Sequence, residues 1–200
     1  LAAPVAAPAR PAPVPAVAPS RGPLVTARQF LSMLLFDTGS VLRSVPLIIM
    51  LLFGLANFLA SLFTMDFMYG TPTHPVASRV ADVLQASYSW LLVVVVLFYA
   101  GELAARTRTA RINEVADAMP TPDWMPVLAK LGALFLVIAL FQAVGAVAGM
   151  LFQAVQGAPL EPLTWLKILL NGSVFYGLMA MLALALQGIT HNKFAGYALV

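Results

Sequence analysis

Four long stretches of the chain contain no Asp, Glu, Lys or Arg, and this feature limits the possible folds most. They cover residues 44–65, 83–101, 131–160 and 168–192. A helix that crosses a bilayer needs about 20 mainly apolar residues. Because lipid offers the backbone no hydrogen-bond partners, only helices and closed barrels cross it. The apolar residues are continuous rather than alternating. The sequence therefore predicts an all-α polytopic membrane protein with four transmembrane helices and the start of a fifth.

Composition and charge exclude several other classes of protein. The chain is 61% hydrophobic and 10% charged, whereas soluble domains carry about 25% charged residues. The net charge of +3 does not indicate a nucleic-acid partner, because basic residues in a membrane protein usually report topology. The absence of cysteine excludes disulfides and thiolate metal sites.

The chain divides into three parts. Residues 1–24 are rich in Ala and Pro, with seven of the fifteen prolines, which predicts an extended cytoplasmic linker. A signal peptide is the alternative, but prolines interrupt its apolar region. Residues 25–43 form an amphipathic interfacial helix, and residues 44–200 form part of a transmembrane domain. Because the chain begins with Leu1 and ends within a new apolar run, we interpret it as a fragment of a longer protein.

Residues 25–43 have two faces when placed on a helix at about 100° per residue. Thr26 and Gln29 fit a capping box. Four residues do not fit either face: Met33, Phe36, Asp37 and Thr38. One arc is apolar and the opposite arc is polar: Phe30, Leu31, Leu34, Leu35, Val41 and Leu42 against Arg28, Gln29, Ser32, Gly39, Ser40 and Arg43. The pattern predicts a helix that lies in the membrane interface. A short helix packed on a soluble part of the protein is the alternative.

The basic residues predict the orientation of the spans, which we place at residues 45–65, 82–101, 126–153 and 163–186. Seven basic residues flank the spans on one side and two on the other: Arg28, Arg43, Arg106, Arg108, Arg111, Lys130 and Lys193, against Arg79 and Lys167. Positive loops stay in the cytoplasm. Residues 1–43, 102–125 and 187–196 are therefore predicted to be cytoplasmic. Trp90, Trp124 and Trp165 lie near the predicted span ends, as an aromatic belt requires.

The most charged segment of the chain, residues 106–122, lies between the second and third spans. Its helical pattern places Ile112, Val115, Ala116 and Met119 on an apolar face, and Pro120 ends the element. Glu102 is positioned to pair with Arg106 at i, i+4. The apolar face needs a partner, which is the protein's own helices, the lipid surface or another subunit. The simpler alternative is a solvated loop that determines topology.

The sequence "FYAGELAARTRTARINEVADAMPTPDW", followed by "KLGALF", resembles the same region of ABC-2 type permeases, the membrane subunits of ABC exporters. "YGTPTHPV" and "NKFAGY" resemble a bacterial branch fused to an M1-family aminopeptidase domain. The resemblance implies an inner-membrane protein that pairs with a copy of itself or a second permease half. It also implies that residues 106–119 couple the permease to an ABC ATPase subunit, which binds ATP and Mg²⁺. The coupling residues would be Arg106, Arg108, Arg111, Ile112, Glu114, Val115, Asp117 and Met119.

Motifs for catalysis are missing from the sequence itself. There is no G-x-x-x-x-G-K-[ST] phosphate loop and no H-E-x-x-H zinc motif, and no nucleophile elbow. We therefore expect no cofactor, no metal site and no enzyme activity in this segment. Two alternatives to a permease remain: the membrane anchor of a zinc aminopeptidase domain elsewhere in the parent chain, and a scaffold without transport activity.

Uncharged polar residues inside the predicted spans are candidates for a substrate path or for hydrogen bonds between helices. They are Asn57, Ser61, Gln142, Asn171, Ser173 and Tyr176. Gly145 and Gly149 form a G-x-x-x-G pattern, which favours close helix packing. Since no charged residue lies at the centre of a span, an ion or proton relay is not expected.

Overall fold

The computed structural model describes residues 22–64, 75–109, 122 and 124–190, with residues 107–109 described for the backbone alone. These residues form five helices: α1 (Pro23–Leu42), α2 (Val45–Thr64), α3 (Ala77–Thr109), α4 (Trp124–Val155) and α5 (Pro162–Ile189). Within the described residues, four helices are long and apolar enough to cross a membrane: α2, residues Ala77–Arg106 of α3, α4 and α5. The all-α prediction and the four predicted spans are confirmed. Residues 1–21 of the predicted linker lie outside the described residues, as do most of the charged segment and the start of a fifth span. The last two residues of the predicted linker, Pro23 and Leu24, belong to α1.

The predicted bounds of the second span were too short. We expected a span over residues 82–101 and a loop up to residue 79, but α3 begins at Ala77 and continues to Thr109. The charged residues Arg79, Asp82 and Glu102 are exposed on this helix. Charge therefore limits the part of the helix that fits in hydrocarbon, but it does not end the helix, because α3 contains no proline to interrupt the hydrogen-bond ladder.

The helices α3 and α4 form the centre of the bundle. Half of the apolar part of α3 and 44% of that of α4 are buried, compared with 22% for both α2 and α5. The helix α2 packs mainly on α3, while α5 packs against both central helices. The surface that remains exposed on α2 and α5 is rich in Leu, Ile, Val and Phe. In a membrane this surface contacts lipid, so its exposure carries no penalty.

Glycines allow the central helices to approach closely. A Cβ atom built at Gly145 would overlap the side chain of Leu84 on α3, and one at Gly149 would lie 2.5 Å from the Trp165 ring on α5. Small residues at such positions let helices approach closely, and the resulting van der Waals packing helps to hold helices together in lipid. Gly145 of the G-x-x-x-G pattern thus faces α3, while Gly149 lies between α5 and Val80 of α3.

The helix α4 ends in a Schellman motif that turns the chain towards α5. Gly157 has a φ of 70°, a conformation that glycine adopts without steric cost. The Ala158 N–H donates to the Gln153 carbonyl at 2.9 Å, and the Gly157 N–H donates to that of Ala154 at 3.2 Å.

The predicted capping box at the start of α1 is wrong. The helix begins at Pro23, after Gly22, and no side chain caps it. Thr26 is already helical, and its hydroxyl donates to the Gly22 carbonyl at 3.2 Å. Proline has a fixed φ that suits the first helical position, and its missing N–H costs nothing there. For this reason the cap lies at Gly22, four residues before the threonine that the sequence indicated.

The surface of α1 has three faces rather than two. The predicted apolar arc is shared between the protein and the exterior: Phe30, Leu34 and Val41 are wholly or partly buried, whereas Leu31, Leu35 and Leu42 are exposed. Asp37 and Thr38, which fitted neither predicted face, are both buried. The exposed polar residues Arg28, Gln29, Ser32 and Arg43 form the third face. The helix packs on the first turns of α4, where Leu34 covers Gly132. The interfacial position of α1 stays a prediction.

Candidate functional site

Hydrogen bonds at the two ends of the bundle show how the helices alternate in direction. At one end, Ser44, before α2, bonds to Tyr99 of α3 with 2.5 Å between the oxygens. At the other end, Gln153 of α4 bonds to the Pro75 carbonyl, just before α3. Arg79 and Lys167 lie at the Gln153 end, near the starts of α3 and α5. The opposite end holds the described members of the larger basic set: Arg28, Arg43, Arg106, Arg108 and Lys130. The structure thus separates the two predicted sets of charges; which set faces the cytoplasm stays a prediction.

Arg106 joins the end of α3 to α1. Its Nη1 donates to Ser40 Oγ at 2.5 Å and lies 3.6 Å from the Asp37 carboxylate. The guanidinium also lies over the ring of Phe36, 5.4 Å from the centroid, which is within the range of a cation–π interaction. The predicted Arg106–Glu102 pair is wrong: Arg106 pairs with the buried carboxylate of Asp37, while Glu102 is exposed. A buried carboxylate requires a nearby cation more than an exposed one does.

Asp37 is held between opposing electrostatic influences. Burial raises its pKa above the ordinary value of 3.8, while the positive charges of Lys130 and Arg106 oppose that shift without cancelling it. The cluster therefore joins three helices through charge: Asp37 on α1, Arg106 on α3 and Lys130 on α4. The carboxylate of Asp37 is therefore protonated more readily than that of an ordinary aspartate.

The predicted coupling residues begin at this cluster. Arg106 is the first of them, and Arg108 lies on the last turn of α3. The other six, Arg111, Ile112, Glu114, Val115, Asp117 and Met119, lie outside the described residues. The structure therefore gives the anchor of the segment at the bundle, and the coupling role stays a prediction.

Asn57 and Ser61 take part in a hydrogen-bond network between α2 and α3. The Asn57 amide donates to the Ser87 carbonyl at 3.3 Å, and the hydroxyls of Ser87 and Ser61 lie 3.2 Å apart. Ser61 also donates to the Asn57 carbonyl at 2.8 Å. This arrangement holds two helices together and satisfies polar groups that lipid cannot satisfy. Sequence reasoning missed Ser87, because its position opposite Asn57 on the neighbouring helix is visible only in three dimensions.

Gln142 links α4 to the backbone of α5. With its amide nitrogen turned towards α5, it donates to the Leu169 carbonyl at 3.0 Å and accepts from the Ser173 N–H at 3.2 Å. These two backbone groups are i, i+4 partners of one helical turn, so the side chain lies across that turn. Gly172 makes room for it, since a Cβ there would lie 2.8 Å from the nearer terminal atom of the Gln142 amide.

A cavity of about 530 Å³ lies between α3 and α5, and Gln142 of α4 closes one side of it. Asn171 and Tyr176, both identified from the sequence, also line it. Sequence reasoning missed Gln85 and Ser89, which line the α3 side. The signal for this pair was present, because two polar residues at i, i+4 share one helical face. Asn57 and Ser61 lie on the other side of α3 and do not line the cavity.

In comparisons with protein-family models, curated proteins and solved structures, no match was found. The class of the protein follows from its own helices: four apolar helices with antiparallel contacts, of which the outer two expose apolar side chains. It is a multi-pass helical membrane protein.

The end of this membrane protein opposite Arg106 is closed by a buried amide. Gln153 is fully buried; its nitrogen donates to the Pro75 carbonyl at 3.0 Å, and its oxygen accepts from the Trp165 indole at 2.9 Å. The expectation that Trp165 belongs to an aromatic belt is wrong, because this ring is fully buried. Trp90 is also not at a helix end: it lies well inside α3 and meets Phe53 edge to face. Trp124, at the start of α4, is exposed.

Metal binding finds no support in the part of the chain that the structure describes. No group of three or more His, Cys, Asp or Glu side chains occurs among those residues. Both histidines, His74 and His191, lie outside them.

Proposed function

We propose that this membrane protein is the permease portion of an ATP-driven ABC-2 type exporter. A separate nucleotide-binding subunit would dock on the coupling segment, residues 106–119. The observation that supports this most is the resemblance of that segment to ABC-2 permeases, together with the Arg106 cluster at its start. The subunit that docks there supplies ATP and Mg²⁺; this chain supplies the docking surface and the spans.

The Arg106 cluster gives the coupling segment a mechanical connection to the bundle. A force on residues 107–119 reaches Arg106, which is bonded to Ser40 and paired with Asp37 on α1. It also reaches α4, because Lys130 lies within electrostatic range of the same carboxylate. Displacement of the segment would therefore move α1, α3 and α4 together rather than bend one helix end.

The spans suit an uncharged or weakly polar substrate path. In the described residues the charged side chains lie towards the helix ends, while the polar groups deep in the bundle are amides and hydroxyls. A charge at the centre of a bilayer costs several kcal/mol and marks ion pathways. This distribution favours export over an ion or proton relay.

Val115→Asp tests the coupling role. If the apolar face of the segment fills a cleft on the ATPase, burial of each large side chain contributes about 1.5–3 kcal/mol. An aspartate in that face should therefore reduce co-purification of the ATPase and uncouple ATP turnover, while membrane expression stays normal. The matched control is Arg108→Gln, which removes a charge from the same segment and should leave most of the docking intact.

An unchanged complex would contradict the proposal. If Val115→Asp is expressed normally, keeps its ATPase partner and leaves ATP turnover unaltered, the segment is a topology loop. The protein is then better explained as a membrane anchor for a peptidase domain, or as a scaffold.

A further inference from the structure

The cavity between α3 and α5 has the size of a small-molecule site. Its volume of about 530 Å³ falls within the roughly 300–1,000 Å³ that is usual for ligand pockets. One wall of the cavity has a defined structure, because the Gln142 amide packs against Gly172 and is hydrogen-bonded to the backbone of α5. The cavity lies between two helices that otherwise pack closely.

The lining contains hydrogen-bonding groups that have no partner among the residues that the structure describes. Gln85 and Asn171 are exposed within spanning helices, and their amides form no hydrogen bond with any residue that the structure describes. A polar group in hydrocarbon without a partner is costly. These two amides nevertheless lie on different helices and line the same cavity, together with the Ser89 hydroxyl, which donates to the Ala86 carbonyl at 3.4 Å and can still accept a hydrogen bond. An occupant with hydrogen-bonding groups would remove that cost.

The lining also disfavours a charged occupant. No Asp, Glu, Lys, Arg or His is among the described residues that line the cavity. A charged group there would stay uncompensated in a medium of low dielectric constant. The remaining wall is formed by apolar side chains such as Ile168 and Phe175, which suit an alkyl chain.

We propose that this cavity binds an uncharged amphipathic molecule. Its polar head, bearing hydroxyl or ester groups, is hydrogen-bonded by Asn171, Gln85 and Ser89, and its alkyl chain lies along the apolar wall. The site needs no ATPase partner, so it stands or falls separately from the coupling role.

A photoactivatable monoacylglycerol with a diazirine in its acyl chain tests the site. The protein is purified in mild detergent, labelled, and the labelled residues are mapped by mass spectrometry. Labelling should concentrate on the α3 and α5 residues of the cavity and saturate with probe concentration. Unlabelled monoacylglycerol should compete, whereas the fatty acid of the same chain length, charged at pH 8, should compete at least tenfold less well.

Asn171→Leu should weaken the apparent affinity about threefold to tenfold, as expected for the loss of one hydrogen bond. Gln156→Leu, an exposed amide in the turn after α4, is the matched control and should leave labelling unchanged. Circular dichroism and elution volume establish that both variants keep the fold.

Two results would overturn the proposal. Labelling spread evenly over the exposed faces of α2 and α5, and unaffected by Asn171→Leu, would mean that the probe reports only lipid contact. Disulfide-linked dimers of Ser89→Cys in this cysteine-free chain would mean that a second copy of the protein covers the cavity.

Discussion

Gln153 and Gly149 are the two residues of α4 that receive the Trp165 ring of α5. Gln153 accepts a hydrogen bond from the indole, and Gly149 leaves the space that the ring occupies. Gln153 thus provides a hydrogen-bond partner for the indole inside an apolar core, whereas Gly149 has no side chain and so leaves room for the ring. Their loss should therefore destabilise the protein for different reasons.

Gln153→Leu should lower stability by leaving the buried Trp165 indole and the carbonyl of the half-buried Pro75 without partners. The Trp165 N–H and the Pro75 carbonyl would both lose their hydrogen bond, and each unsatisfied buried group costs about 1–3 kcal/mol. Thermal unfolding in mild detergent measures the effect. Gln156→Leu, which makes the same change at an exposed position, should behave like the wild type; equal losses in the two variants would contradict the account.

Gly149→Ala should lower stability by overpacking. The added Cβ would lie 2.5 Å from the Trp165 ring and 3.1 Å from Val80, and Trp165 is fully buried and cannot move aside easily. Overpacking of this kind costs about 1–3 kcal/mol. Gly39→Ala on α1, where nothing lies within 4 Å, is the control and should keep or slightly raise the midpoint of thermal unfolding. A midpoint for Gly149→Ala at or above that of the wild type would argue against close packing here.

The element whose role is hardest to predict is α1. The sequence predicted a helix at residues 25–43, and the structure has one at Pro23–Leu42. Its faces were predicted less well, because a two-faced pattern assumes one apolar environment. Here the apolar residues face both the protein and the exterior, while Asp37 is buried since Arg106, distant in sequence, pairs with it. Such a pair follows from tertiary structure, which local periodicity does not contain.

The charge cluster that holds α1 should make stability depend on pH. Burial keeps the pKa of Asp37 above 3.8, so the folded protein binds this proton more tightly than the unfolded chain does. The wild type should therefore gain stability relative to Asp37→Asn as the pH falls through the folded-state pKa, with the gain complete below 3.8. Thermal midpoints of both proteins in mild detergent, from neutral pH downwards, measure the difference. A difference that stays constant, or that moves the other way, would contradict the assignment.

At the scale of the whole molecule, the fold follows from the sequence more directly than the site does. Long uncharged stretches predict spanning helices because the bilayer accepts few alternatives. The cavity could not be predicted in the same way. Asn171 and Gln142 were visible as polar residues in spans. That they lie near Gln85 and away from Asn57, however, depends on the orientation of α3 about its own axis between α2 and α5.

The separation of basic residues to opposite ends predicts the topology of the molecule. Arg108→Cys should react with an impermeant thiol reagent only after the membrane is opened, whereas His74→Cys should react in intact spheroplasts. The chain contains no native cysteine, so each label reports one position once any cysteines elsewhere in the parent protein are removed. Labelling of residue 108 in intact spheroplasts would reverse the orientation.

The exporter proposal is tested most directly by purifying the full-length protein from its native membrane and assaying the complex for ATP hydrolysis. The account predicts that a subunit with a G-x-x-x-x-G-K-[ST] motif co-purifies in a fixed ratio, that the complex hydrolyses ATP in a vanadate-sensitive manner, and that Val115→Asp removes the subunit. Purification of a stable, correctly inserted protein that carries no such subunit and no ATPase activity would contradict the account.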